Sequence, residues 1–160
     1  MPVNPIPEGY HSVTPYITVK DANAAIDFYT SNFGATEVMR MPGPGGKVMH
    51  AEIQIGDSRI MLADEFPKMG AQAPEHFGGS PQHLMIYTED ADSVFKKAIA
   101  AGSTEVRPLV DQFYGDRSGT LKDPFGHQWT IATHVEDVSE EELGKRMAAM
   151  GGSPCGEGAS

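Results

Sequence analysis

The pentapeptides GATEV (34–38) and GSTEV (102–106) lie 68 residues apart, and this repeat restricts the fold more than any other feature of the chain. A recurrence at fixed separation points to a duplicated supersecondary unit whose copies share one architecture. Each pentapeptide follows a stretch of helical character, DANAAIDFYTSNF (21–33) and DADSVFKKAIAA (90–101). Asp21 and Asp90 can cap the first turns, and Gly34 and Gly102 suit the left-handed position after the last. Ile26, Phe28, Tyr29 and Phe33 on one helix, and Val94, Phe95, Ala98 and Ile99 on the other, predict apolar stripes.

A strand pattern precedes each helix, TPYITV (14–19) and HLMIYT (83–88), and three more follow it. In the first half these are EVMRM, KVMHAEIQIG and SRIMLAD, with a Gly-Asp hairpin at 56–57. In the second half they are EVRPLVDQ, RSGTLKD and HQWTIATH, with Asp123-Pro124-Phe125-Gly126 in the hairpin's place. Each half therefore reads β-α-β-β-β, and the fold class is α+β. The chain divides into an N-terminal arm with the first module (1–66), a linker (67–81), a second module (82–135), a C-terminal helix (136–150) and a flexible tail (151–160). Ser139 with Glu142 three residues on resembles a capping box at the start of that last helix.

One face of each sheet must cover its helix, so Ile17, Val19, Ala51, Ile53, Ile55, Leu84, Ile86, Trp129 and Ile131 are predicted to face the core. Alternation leaves the opposite, cupped face with Thr14, Tyr16, His50, Glu52, Gln54, Met61, His83, Met85, Tyr87, Gln128 and Thr130. A concave face of mixed polar and aromatic character suits a small organic ligand. Net charge narrows the partners. At −10, the chain is expected to bind neither nucleic acid nor anionic membranes, which need clustered Lys and Arg. No apolar run is long enough to span a bilayer, and no secretory leader is recognised. The single cysteine, Cys155, excludes an internal disulfide and lies in the Gly/Ser-rich tail, so a cytoplasmic location is expected.

The segments TPYITVKDANAAIDFYTSNFGA, HLMIYTEDADSVFKKAIAAG and DPFGHQW resemble the vicinal oxygen chelate superfamily of glyoxalases, bleomycin-resistance proteins and dioxygenases. VMHAEIQIGDSRIMLADE and DQFYGDRSGTLKDPFGHQW are similar to its PhnB-like branch. The resemblance implies cupped mixed sheets from paired modules, a homodimer, and in its metalloenzymes a divalent ion held by first- and last-strand His and Glu. Those positions fall on Thr14, Met61, His83 and Thr130, of which only His83 is a good ligand for a hard divalent ion. No metal or other cofactor is therefore expected at the usual place.

His50 and Glu52, two apart on one strand, share a face, and His83 could join them in a relocated two-His-one-carboxylate metal set or as catalytic acid-base groups. The alternative is that they only line a polar cup. Tyr16 and Tyr87 are candidates for stacking on a flat ligand. Tyr114 could donate a hydrogen bond to it, and Arg117 could clamp its carboxylate or phosphate, or else pair with Asp111 or Asp116 to tie down a loop. His11, His76 and His134, at element ends or in the linker, are read as bonding backbone or facing solvent. Three functions follow: a metal-independent small-molecule binder, a metal-dependent lyase, isomerase or dioxygenase, or an interaction domain whose cup is filled by its own side chains.

Overall fold

The computed structural model describes residues 2–151; Met1 and residues 152–160, including Cys155 and most of the expected tail, lie outside the described residues. The first module comprises β1 (Tyr16–Val19), α1 (Ala22–Asn32), β2 (Thr36–Pro42), β3 (Val48–Ile55) and β4 (Ser58–Asp64). The second comprises β5 (His83–Tyr87), α2 (Ala91–Ala100), β6 (Thr104–Asp111), β7 (Asp116–Lys122) and β8 (Gln128–His134), and α3 (Glu140–Ala149) follows. Residues 67–81 hold two short 3-10 turns, Pro67–Met69 and Pro74–Phe77.

Two four-stranded mixed sheets result, ordered β1-β4-β3-β2 and β5-β8-β7-β6. In each, the first strand runs parallel to the last and the other neighbours are antiparallel. A parallel pair needs a crossover, which the helix provides. Capping is as the sequence predicts: Asp21 accepts from Ala24 N, Asp90 from Ser93 N and Ser139 from Glu142 N. Gly34 and Gly102 both take positive φ just past their helices.

The duplication extends to fine detail. Ala22 N, at the start of α1, donates to Asp64 Oδ1 at the end of β4 (2.8 Å), and Ala91 N, at the start of α2, donates to Thr133 Oγ1 on β8 (2.9 Å). The same tie between helix start and last strand is made with a carboxylate in one copy and a hydroxyl in the other.

The core lies between helices and sheets and includes Val19, Ile26, Tyr29, Ile53, Leu62, Leu121, Trp129 and Ile131, each fully buried. Trp129 packs across the module boundary, with ring centroids 5.3 Å from Tyr29 and 5.0 Å from Phe33 on α1. The Asp123–Gly126 turn ties the two modules together at that boundary. Buried Asp123 accepts from Tyr29 Oη (2.6 Å), Trp129 Nε1 (2.8 Å), Phe125 N (2.9 Å) and His127 N (2.9 Å). His127 Nε2 lies 2.9 Å from Thr18 O on β1. The segment DPFGHQW is thus a fastening between modules, and none of its side chains belongs to the cups' polar groups described below.

Candidate functional site

The first cup is built on β1, β3 and β4. A cross-strand row sets Tyr16 opposite Met61, Met61 opposite Glu52, and Glu52 opposite Met39. Tyr16 Oη lies 2.9 Å from His50 Nδ1, and His50 Nε2 lies 3.0 Å from Glu52 Oε1. Because a carboxylate only accepts, Nε2 carries the proton and Nδ1 accepts from the phenol; the tautomer is assigned from these partners. The N-terminal arm crosses this face, and Tyr10 donates its hydroxyl to Glu52 Oε2. The hydrogen bond from His50, then that from Tyr10, holds the Glu52 carboxyl below its ordinary pKa. Desolvation, then the charge of Glu52, pushes the Tyr16 phenol up, so Tyr16 stays a donor. The Arg59 guanidinium sits 5.5 Å from the Tyr10 ring centroid, with Nε and Nη1 buried and unpartnered. Between arm and sheet remains a cavity of about 430 Å³ bounded by Pro5, Ile6, Tyr10, Thr14, Glu52 and Met61 among others.

The second cup has no arm across it. Its corresponding row sets Met85 opposite Thr130, Thr130 opposite Thr120, and Thr120 opposite Arg107. The Thr120 and Thr130 hydroxyls are 2.9 Å apart. His83, Gln112, Phe113, Tyr114, Ser118 and Met150 complete most of a cavity of about 730 Å³. At one edge Tyr87 donates to Asp116 Oδ2 (2.8 Å), whose other oxygen meets His134 Nδ1 (2.8 Å), while His134 Nε2 meets Asp137 (2.8 Å). Asp116, then Asp137, raises the pKa of His134, and the bond to Asp116 raises that of Tyr87. His134 thus bonds two carboxylates rather than backbone, a pairing that its place at a strand end does not reveal.

Of the residues expected to form a site, Tyr16, His50 and Glu52 meet in the first cup, and His83 and Tyr114 line the second. His83 is therefore not joined to His50 and Glu52. Among the described residues no group of three or more His, Cys, Asp or Glu could hold a metal ion. The family's usual positions do not fit one either: Thr130 is bonded to Thr120, and Thr14 and Met61 are poor ligands for a hard ion.

Arg117 needs correction as a ligand clamp. It shares the helix-facing side of β7 with Gly119, where an added Cβ would lie 2.9 Å from the Phe95 ring of α2. There it pairs with Asp92 at the start of α2 (2.7 and 2.8 Å) and with Asp111 (3.1 Å). Its surroundings are carboxylates, and the cup is on the other side of the sheet. Arg107, Thr120, Tyr10 and Arg59 were not singled out by sequence. The ladder of β6 skips between Glu105 and Arg107, so period-two counting misplaces Arg107. Tyr10 precedes the first strand and reaches Glu52 across 42 positions.

Residues 9–131 match the model of the Glyoxalase/Bleomycin resistance protein/Dioxygenase superfamily. An uncharacterised protein of Mycobacterium tuberculosis is 39% identical over 143 residues, covering 88% of this chain and 84% of the relative. The crystal structure of TioX from Micromonospora sp. ML1 superposes with a TM-score of 0.62 at 25% identity, covering 78% of this chain and 99% of that one. The PhnB protein from Bacillus cereus shares the fold, with a TM-score of 0.60 at 22% identity over 77% of this chain and 99% of that one. The duplicated βαβββ architecture and these matches together make this chain a member of the glyoxalase/bleomycin resistance protein/dioxygenase superfamily.

Proposed function

We propose that the protein binds a small organic ligand in the second cup without the superfamily's divalent ion. The observation that carries this reading is the 730 Å³ cavity, a volume typical of small-molecule sites, about 300–1,000 Å³. Apolar Met85, Phe113 and Met150 supply area, while His83, Gln112, Tyr114 and Thr130 supply spaced polar groups. Such a lining favours binding over packing of the cup by its own side chains. A homodimer fits the same reading, because Tyr16, Met85 and Tyr87 leave apolar surface exposed on open sheets. Thermal-shift screening of small aromatic compounds in chelator-treated buffer tests the proposal. Stabilisation that persists with chelator and is lost on filling the cavity with Thr120→Trp supports it; ligand stabilisation that appears only after adding a divalent ion overturns it.

One observation favours a second, catalytic reading. Glu52 orients the His50 imidazole, which presents Nδ1 to the Tyr16 phenol, and a carboxylate-imidazole pair of this kind can move a proton at a bound carbonyl compound. Turnover lost in both His50→Gln and Tyr16→Phe, with metal absent, would establish it. Unchanged turnover in both would exclude this relay.

A further inference from the structure

We infer that the ligand of the second cup carries a carboxylate, which Arg107 reads. This rests on the binding function proposed for that cup and adds the ligand's chemical class. The chain holds 22 acidic residues against 12 Lys and Arg, yet none of the residues lining the 730 Å³ cavity is acidic. Its one permanent cation is Arg107, with His83 as a second group able to donate.

Three other arginines are engaged by carboxylates, Arg40 with Glu37, Arg117 with Asp92 and Asp111, and Arg146 with Glu136 and Glu142, while Arg59 lies over the Tyr10 ring of the first cup. Arg107 is an exposed side chain at the cavity's lining, and among the described residues no side-chain hydrogen bond or ion pair engages it. It stands instead at the end of the row Met85, Thr130, Thr120, Arg107. The first cup's row runs Tyr16, Met61, Glu52, Met39. Duplication has therefore exchanged a carboxylate for a hydroxyl and a thioether for a guanidinium. The second cup thus carries a cation and no acid, whereas the first carries a carboxylate with the Arg59 guanidinium nearby.

A guanidinium matches a planar carboxylate bidentately, and the Thr120 hydroxyl directly opposite can support one of its oxygens. One arginine balances one negative charge. A phosphate dianion would need more, and no lysine lines the cavity. Apolar Met85, Phe113 and Met150 would hold the rest of the molecule.

Isothermal titration of the full chain with 2-naphthoate and with its neutral near-isostere 2-naphthamide is the test. Wild type should bind the acid at least tenfold more tightly than the amide, against the general repulsion of a protein with net charge −10. Arg107→Met should bring the acid down to the amide's affinity, and Arg107→Lys should retain part of the difference. Equal affinities in wild type, or a preference that survives Arg107→Met, would overturn the inference while leaving ligand binding in the cup intact. Binding of neither probe would overturn the cup as a site and the inference with it.

Discussion

Replacing Asp123 by Ala should be among the most damaging single changes in the protein, although no cup residue is touched. The substitution removes the common acceptor of Tyr29 Oη, Trp129 Nε1, Phe125 N and His127 N. Tyr29 and Trp129 are both 0% exposed, so water cannot replace the lost partner. Each stranded buried donor costs about 1–3 kcal/mol, and the two partly buried turn amides add roughly 1 kcal/mol more. A loss of about 3–7 kcal/mol is a large fraction of a typical domain's 5–15 kcal/mol. For a chain of this length it lowers the melting temperature by on the order of 10–20 °C. Tyr29→Phe removes only one donor and leaves the carboxylate three partners, so it should cost about 1–2 kcal/mol. In the double mutant the orphaned hydroxyl is gone, so its loss should fall short of the sum by about 1–2 kcal/mol. Urea unfolding followed by the fluorescence of Trp129, the only tryptophan, reads all three. A loss under 1 kcal/mol for Asp123→Ala, or additivity within about 0.5 kcal/mol, would refute the fastening role.

Three further outcomes follow from the same contacts. His134 has its folded pKa raised by Asp116 and Asp137, so its stabilising pairs are complete below the unfolded value of about 6.5 and fade as pH rises through the folded one. Amide protection in residues 135–150, measured relative to the intrinsic base-catalysed exchange rate at each pH, should therefore fall from pH 6 to pH 9, and His134→Gln should flatten that profile. Glu52 has its folded pKa lowered, so its hold on Tyr10 is present above the unfolded value of about 4.3 and is lost as pH falls through the folded one. Proteolysis within residues 2–13 should rise in acid, and Tyr10→Phe should raise it at neutral pH. At Gly115, φ is +102° and an added Cβ would lie 2.1 Å from Glu136 O; Gly115→Ala should destabilise by about 2 kcal/mol or more, read as a lower urea midpoint.

Most of the fold was legible because duplication supplied two readings of one pattern. The GATEV and GSTEV pair, the Asp caps and the positive-φ glycines agree in both halves, and alternation along β1, β3, β5 and β8 assigned the core and cup faces correctly. That success rests on regular strands. Arg107 escaped because a register skip in β6 breaks the period of two just before it, and of the two roles read for Arg117 the pairing with Asp111 is the one made, joined by Asp92 of the helix, which local sequence did not offer. Tyr10 and Asp123 act through contacts 42 and 94 residues away in sequence, which no local pattern reveals.

The two cups also show what a duplicated scaffold permits. Backbone ties must be kept, and they are: Asp64 and Thr133 hold their helix starts with different chemistry but matching geometry. Cup-facing positions carry no such constraint, since a side chain there points away from the helix and core. Glu52 and Thr120 occupy corresponding places, each opposite the row residue of its module's last strand, Met61 or Thr130. In the first cup a carboxylate is satisfied internally by His50 and by Tyr10 of the arm. In the second, the threonine leaves Arg107 without an internal acid. A cation in a cup free of carboxylates attracts anions from outside, whereas the satisfied carboxylate of the first cup attracts none. What differs between the two cups therefore lies in a few cup-facing positions, and the proposed ligand preference rests on the charge of one of them, Arg107.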